Sequence, residues 1–198
     1  MRADNRTRSG LLLGGMILAI VVALGIGALG SGDDTAATKS GEQPATVDPD
    51  AASSGEQAPD FDLAELTGPG RVKLSDYEGR PVVLNFWASW CIPCQDEFAQ
   101  LNALVAKPST RQDGLAVIGI TFGDTPQDAR DFAEEQGATW TLAAGGDGDP
   151  VAREYGIRAV PQLYFIDRDG VIRTRIYGPP TAELIDRAVA GITAPAPN

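Results

Sequence analysis

Residues Pro81–Ala88, PVVLNFWA, form a nearly unbroken apolar run that stops three positions short of Cys91-Ile92-Pro93-Cys94. A run of that length and composition reads as a strand buried on both faces, which restricts the fold to a sheet covered by helices. Pro93 suits the start of a helix, because its φ is preset and the missing N–H would be unpaired there anyway. Phe98, Leu101, Leu104 and Val105 follow at helical spacing, and Lys107–Pro108 marks the stop. The chain's two cysteines therefore fall where a buried strand turns into a helix. Unpaired backbone N–H groups and the helix dipole stabilise a thiolate at that point. The reading is a redox pair, with Cys91 as the exposed nucleophile and Cys94 as the shielded resolving thiol. Trp90 and Trp87 flank the pair, either as walls of the site or as core packing.

The competing reading is a structural disulfide. Closing so short a loop constrains the unfolded chain little, since the benefit grows with loop length. The chain has no histidine, which removes hydrolases built on a His base and His-ligated metal sites. Two cysteines cannot complete a structural zinc site, so no metal or other cofactor is expected. The formal net charge is −11 over 198 residues, which disfavours nucleic acid as a partner.

Residues 11–30 contain no charge and follow Arg2, Arg6 and Arg8. Twenty helical residues span about 30 Å, the thickness of a bilayer's hydrocarbon core. The expectation is a cytoplasmic tail at 1–10, a single transmembrane signal anchor at 11–30, and everything later outside the cell membrane. A cleaved signal peptide is the alternative. Residues 31–57 are small and acidic, and read as a flexible linker. One domain is expected at 58–192, with a short tail at 193–198. Within it a hairpin precedes the Pro81–Ala88 strand. Leu115–Phe122 is a second buried strand, Thr125 and Pro126 open a helix closed by Gly137, and a short strand lies near Thr139–Ala143. A helical turn at Pro150–Tyr155 is followed by an antiparallel pair, Leu163–Ile166 and Val171–Tyr177, about the turn Asp167–Gly170. Thr181 opens a final helix to Ala190. The order implies an α/β fold with a mixed central sheet flanked by helices.

The segment LNFWASWCIPCQDEF, together with APDF, LSDYEGRPVVLNFW and YGIRAVPQLYFIDRDG, resembles the TlpA/ResA/CcmG branch of the thioredoxin superfamily. The resemblance covers about residues 58–192 and implies a thioredoxin-like fold with an N-terminal β-hairpin and a βα insertion. It implies a cis-proline loop at Val160–Pro161 beside the disulfide, where a client segment would pair as an added strand, with Trp90 also touching the client. It further implies a site role for Glu97, whose alternative is a solvated carboxylate in the first turns of a helix. Asn85 departs from cytoplasmic thioredoxin, which has a buried aspartate there, and Glu97 is the leading substitute.

The expected activity is thiol–disulfide exchange, with reduction of client disulfides, such as those of apocytochrome c in cytochrome c biogenesis, favoured over general oxidation of secreted proteins. A membrane thiol reductase is the implied electron donor. A non-redox rival is an exported chaperone with a structural disulfide. A peroxiredoxin would need proline and threonine where Leu84 and Ala88 stand, and a copper-delivery protein would need a histidine.

Overall fold

The computed structural model describes residues 45–47, 55–146 and 148–194. The expected tail at 1–10, the anchor at 11–30, most of the linker and residues 195–198 lie outside them. Among the described residues, no helix is long and apolar enough to cross a membrane.

Eight strands form one sheet in the order β1-β8-β7-β4-β5-β6-β2-β3. They are β1 (Thr46–Val47), β2 (Asp62–Glu65), β3 (Arg71–Lys73), β4 (Val82–Trp87), β5 (Ala116–Thr121), β6 (Thr141–Ala144), β7 (Gln162–Ile166) and β8 (Ile172–Tyr177). The pairs β4–β5 and β5–β6 are parallel; all others are antiparallel. The helices are α1 (Ile92–Ala106), α2 (Pro108–Gln112), α3 (Pro126–Glu135), α4 (Pro150–Glu154) and α5 (Ala182–Thr193). The architecture is a thioredoxin-like α/β fold. The hairpin β2–β3 lies at the sheet edge and pairs with β6, far from β4.

The alternation of side chains along β4 divides the core. Val83 and Trp87 point to one face, covered by α1, α3 and α5 through Phe98, Leu101, Phe132, Ile185 and Ile192. Val82, Leu84 and Phe86 point to the other, covered by α4 and by residues Phe61–Tyr77. On the first face Phe98 meets Trp87, Trp140 and Phe132 with ring centroids 4.7, 5.0 and 5.1 Å apart. Phe98 lies four residues beyond Cys94, so this aromatic cluster pins the helix carrying the dithiol. Gly119 of β5 lies against the same cluster, where an added Cβ would stand 2.6 Å from Trp140 and 2.9 Å from the Trp87 indole nitrogen.

Local signals explain most boundaries. Thr125 accepts a hydrogen bond from the Asp128 N–H, Asp149 from Val151, and Thr181 from Leu184, so α3, α4 and α5 each have a side-chain N-cap. Gly170, at φ +77°, completes the β7–β8 turn. Three differences from the sequence reading have physical causes. Helix α1 does end ahead of Lys107–Pro108, but a second helix, α2, starts at once, because proline is also a good first helical residue and buried Thr110 donates back to the Leu104 carbonyl. Helix α5 runs past Ala190 to Thr193, since Ile192 adds another buried position. Residues 45–47 and 55–57, within the expected linker, instead pair with β8 and its turn. Thr46 lies opposite Tyr177, Gln57 bridges Val171, and the Ile172 N–H donates to Glu56 at 2.9 Å. The C-terminus of α5 lies at the opposite end of β8, where Arg168 in the β7–β8 turn donates to the Thr193 carbonyl at 2.9 Å.

Candidate active site

Strand β4 ends at Trp87, and four residues later the chain enters α1 with Cys91 as its N-cap. The Cys91 and Cys94 sulfurs are bonded, with Cα atoms 5.3 Å apart, as expected for one helical turn. The Cys94 N–H donates to the Cys91 carbonyl at 3.1 Å, closing that turn. Both cysteines belong to the first-face core: Cys91 is 3 % exposed and Cys94 0 %. The sequence reading had Cys91 exposed; in the disulfide form it is only marginally more open than its partner. The exposed groups are its neighbours, Trp90 at 58 % and Ile92 at 79 %. These are the exposed large hydrophobic residues among those described. Trp87, by contrast, is fully buried, so of the two flanking tryptophans Trp87 is core packing and Trp90 is exposed.

The Val160–Pro161 bond is cis. Gln162, the next residue, pairs with Phe86 near the end of β4, so the proline stands at the same end of the sheet as the disulfide. Val160 packs partly buried against the core cluster containing both cysteines. The Gln162 side chain donates to the Ala159 carbonyl at 2.7 Å and thereby closes the loop across Val160 and Pro161.

Glu97 lies one turn beyond Cys94 on the same buried face of α1 and is wholly inaccessible. Burial pushes its carboxyl well above the usual carboxylate range, and the nearby Asn85 amide pulls it partly back. That amide faces the carboxyl without closing to hydrogen-bond geometry, for neither side chain has a hydrogen-bond partner. The solvated alternative for Glu97 therefore does not hold. Asn85 occupies the middle of β4, between parallel β5 and antiparallel β7. Leu84 and Ala88, where a peroxide-reducing site would need proline and threonine, are buried and apolar.

Sequence reasoning missed one contributor. Ser89, just before Trp90, donates its N–H to Asp124 Oδ2 at 2.6 Å and its hydroxyl to Oδ1 at 3.0 Å. Asp124 belongs to the loop between β5 and α3. Its position at the carboxyl end of the strand parallel to β4 was the available signal, because loops of parallel strands converge there.

Residues 54–175 match the AhpC/TSA family. The thiol:disulfide interchange protein HelX of Rhodobacter capsulatus is 33 % identical over 71 % of this chain and 77 % of its own length. The thiol-disulfide oxidoreductase ResA of Geobacillus kaustophilus is 34 % identical over 70 % of this chain and 77 % of its own. A crystal structure from Chlorobium tepidum, designated a thiol:disulfide interchange protein DsbE, superposes with a TM-score of 0.64 at 32 % identity. It covers 71 % of this chain and 97 % of that one. With the dithiol closed at the head of α1 and these relatives matched across the domain, the chain belongs to the AhpC/TSA family and is a thiol–disulfide oxidoreductase of the ResA and HelX type.

Proposed function

We propose that the protein reduces disulfides of exported client proteins, apocytochrome c among them, from a domain held outside the membrane by residues 11–30. Cys91 is the attacking thiol. Its thiolate bonds to one client sulfur, the client disulfide breaks, and the departing sulfur leaves as a thiolate that takes a proton from water. Cys94 then attacks Cys91, frees the client as a thiol and leaves the Cys91–Cys94 disulfide. Glu97 serves as the proton exchanger for Cys94: in its ionised form it accepts the Cys94 proton before attack, and in its neutral form it returns one when a donor reopens the disulfide. Pro161, Val160 and Trp90 frame the client segment, which would pair along the backbone beside the cis bond. A membrane thiol reductase restores the dithiol.

One observation carries the direction. Strong oxidants of this kind owe their potential to a well-stabilised thiolate in the reduced form. Here residues 89–98, from Ser89 through Phe98, include no basic side chain; they carry Asp96 and Glu97, and the chain has no histidine. Within that segment the helix N-terminus is the feature that favours the Cys91 thiolate, without help from a cation, so the disulfide state is comparatively favoured and the dithiol is a good electron donor. Equilibration with glutathione tests this. The expected potential lies near or below about −270 mV, the thioredoxin range, whereas a value near about −120 mV, that of a strong oxidant, would overturn the reductase reading.

A further inference from the structure

The turn carrying the nucleophile is fastened sideways to a neighbouring loop. Ser89 contributes two bonds to the Asp124 carboxylate, at 2.6 and 3.0 Å, and the Thr125 N–H adds a third at 2.9 Å within Asp124's own loop. Directly before Ala88, the Trp87 carbonyl accepts from the Phe122 N–H at 2.8 Å. Directly after Ser89, the Trp90 indole N–H donates to the Gly123 carbonyl at 2.9 Å. Trp87, Ser89 and Trp90 are thus tied in sequence to Phe122, Asp124 and Gly123. None of these bonds uses a sulfur.

A loop exposing a large indole would ordinarily be mobile, with each orientation of Trp90 carrying a different placement of Cys91. Thiol–disulfide exchange is sensitive to such placement, because the attacking, central and departing sulfurs must come into line. Asp124 is the anionic member of the clamp and holds two donors from the turn at once, the stronger kind of hydrogen bond. We propose that Asp124 is a positioning residue for the exchange reaction, fixing the Ser89–Trp90 turn so that Cys91 and the Trp90 wall meet a client disulfide in one geometry. This rests on the reading of Cys91 as the attacking thiol.

Charge and position act in opposite directions, which makes the inference testable. If Asp124 acted only through its charge, removing it would favour the Cys91 thiolate and speed attack. If it positions the turn, Asp124→Asn should slow attack, because the Ser89 and Thr125 N–H groups reach different carboxylate oxygens and an amide has one accepting oxygen, not two. The experiment uses the full chain carrying Cys94→Ser, reacted in a single turnover with a disulfide-closed peptide. Cys91 Sγ bonds to one peptide sulfur while the other departs as a thiolate and is protonated by water. Adding Asp124→Asn should lower the rate of mixed-disulfide formation about tenfold. The Trp90 indole N–H, followed by 15N NMR, should exchange faster with solvent. Ser89→Ala, which keeps the backbone bond and loses the hydroxyl, should give a smaller loss of the same kind, and it decides the matter if Asp124→Asn does not fold. Equal or faster trapping with an unmoved Trp90 resonance would overturn the clamp alone. Absence of trapping by Cys94→Ser itself would overturn Cys91 as the attacking thiol and the clamp with it.

Discussion

Glu97 is enclosed one helical turn from Cys94, without water access and without a hydrogen-bond partner. Its folded-state pKa lies above the ordinary value of 4.5, so the folded protein binds this proton more tightly than the unfolded chain does. The associated stability is fully present below the ordinary carboxylate range and is lost as pH rises toward the folded value. Over that interval the slope approaches about 1.4 kcal/mol per pH unit for this one group. Glu97→Gln, which keeps the shape but cannot ionise, should flatten the decline in stability above pH 4.5, as measured by denaturant unfolding at a series of pH values. If Glu97 also moves the Cys94 proton, the same variant should slow release of a trapped client by about tenfold or more. An unchanged pH profile together with an unchanged release rate would reduce Glu97 to a buried spacer.

At the scale of elements, the dithiol helix is held by aromatic packing that leaves no spare volume. Gly119→Ala would place a methyl 2.6 Å from Trp140 and 2.8 Å from Leu142, with the Trp87 indole also within 3 Å. Overpacking of this kind should cost about 1–3 kcal/mol, read as a lower denaturation midpoint. A variant as stable as wild type would mean that the cluster yields more easily than its packing indicates. The elements themselves were legible to the extent that their signals are local. The apolar runs mark β4, β5 and β7, while Thr125, Pro126 and Gly137 bracket α3 before any contact is known. Helix α2 is not legible, because Pro108 is equally a helix stop and a helix start. Strand β1 is not legible either, because Thr46 and Val47 lie in a stretch of small polar residues and gain their conformation only from β8. Site residues divide the same way. Cys91, Cys94 and Pro93 declare themselves by spacing, whereas the burial of Glu97 depends on what α1 packs against. The partnership of Ser89 with Asp124 spans 35 positions and leaves no local pattern.

At the scale of the whole molecule, the proposed anchor is separable from the chemistry. The observation behind it is the uncharged stretch at 11–30 preceded by three arginines. Membrane fractionation with N-terminal sequencing should recover an uncut chain in the membrane fraction; a soluble form beginning near Ser31 would replace the anchor with a cleaved signal and leave the proposed export intact. The pairing of Thr46 with Tyr177 gives the domain a polarity. Tyr177 lies opposite Gln162, beside the cis proline, so Thr46 stands at the redox end of the sheet, while Thr193 lies beside Arg168 at the far end. The two termini are therefore unequal as handles. A dye, resin or reporter fused after Thr193 leaves the dithiol face clear for a partner, whereas cargo joined just ahead of Ala45 shares that face and competes with whatever docks there.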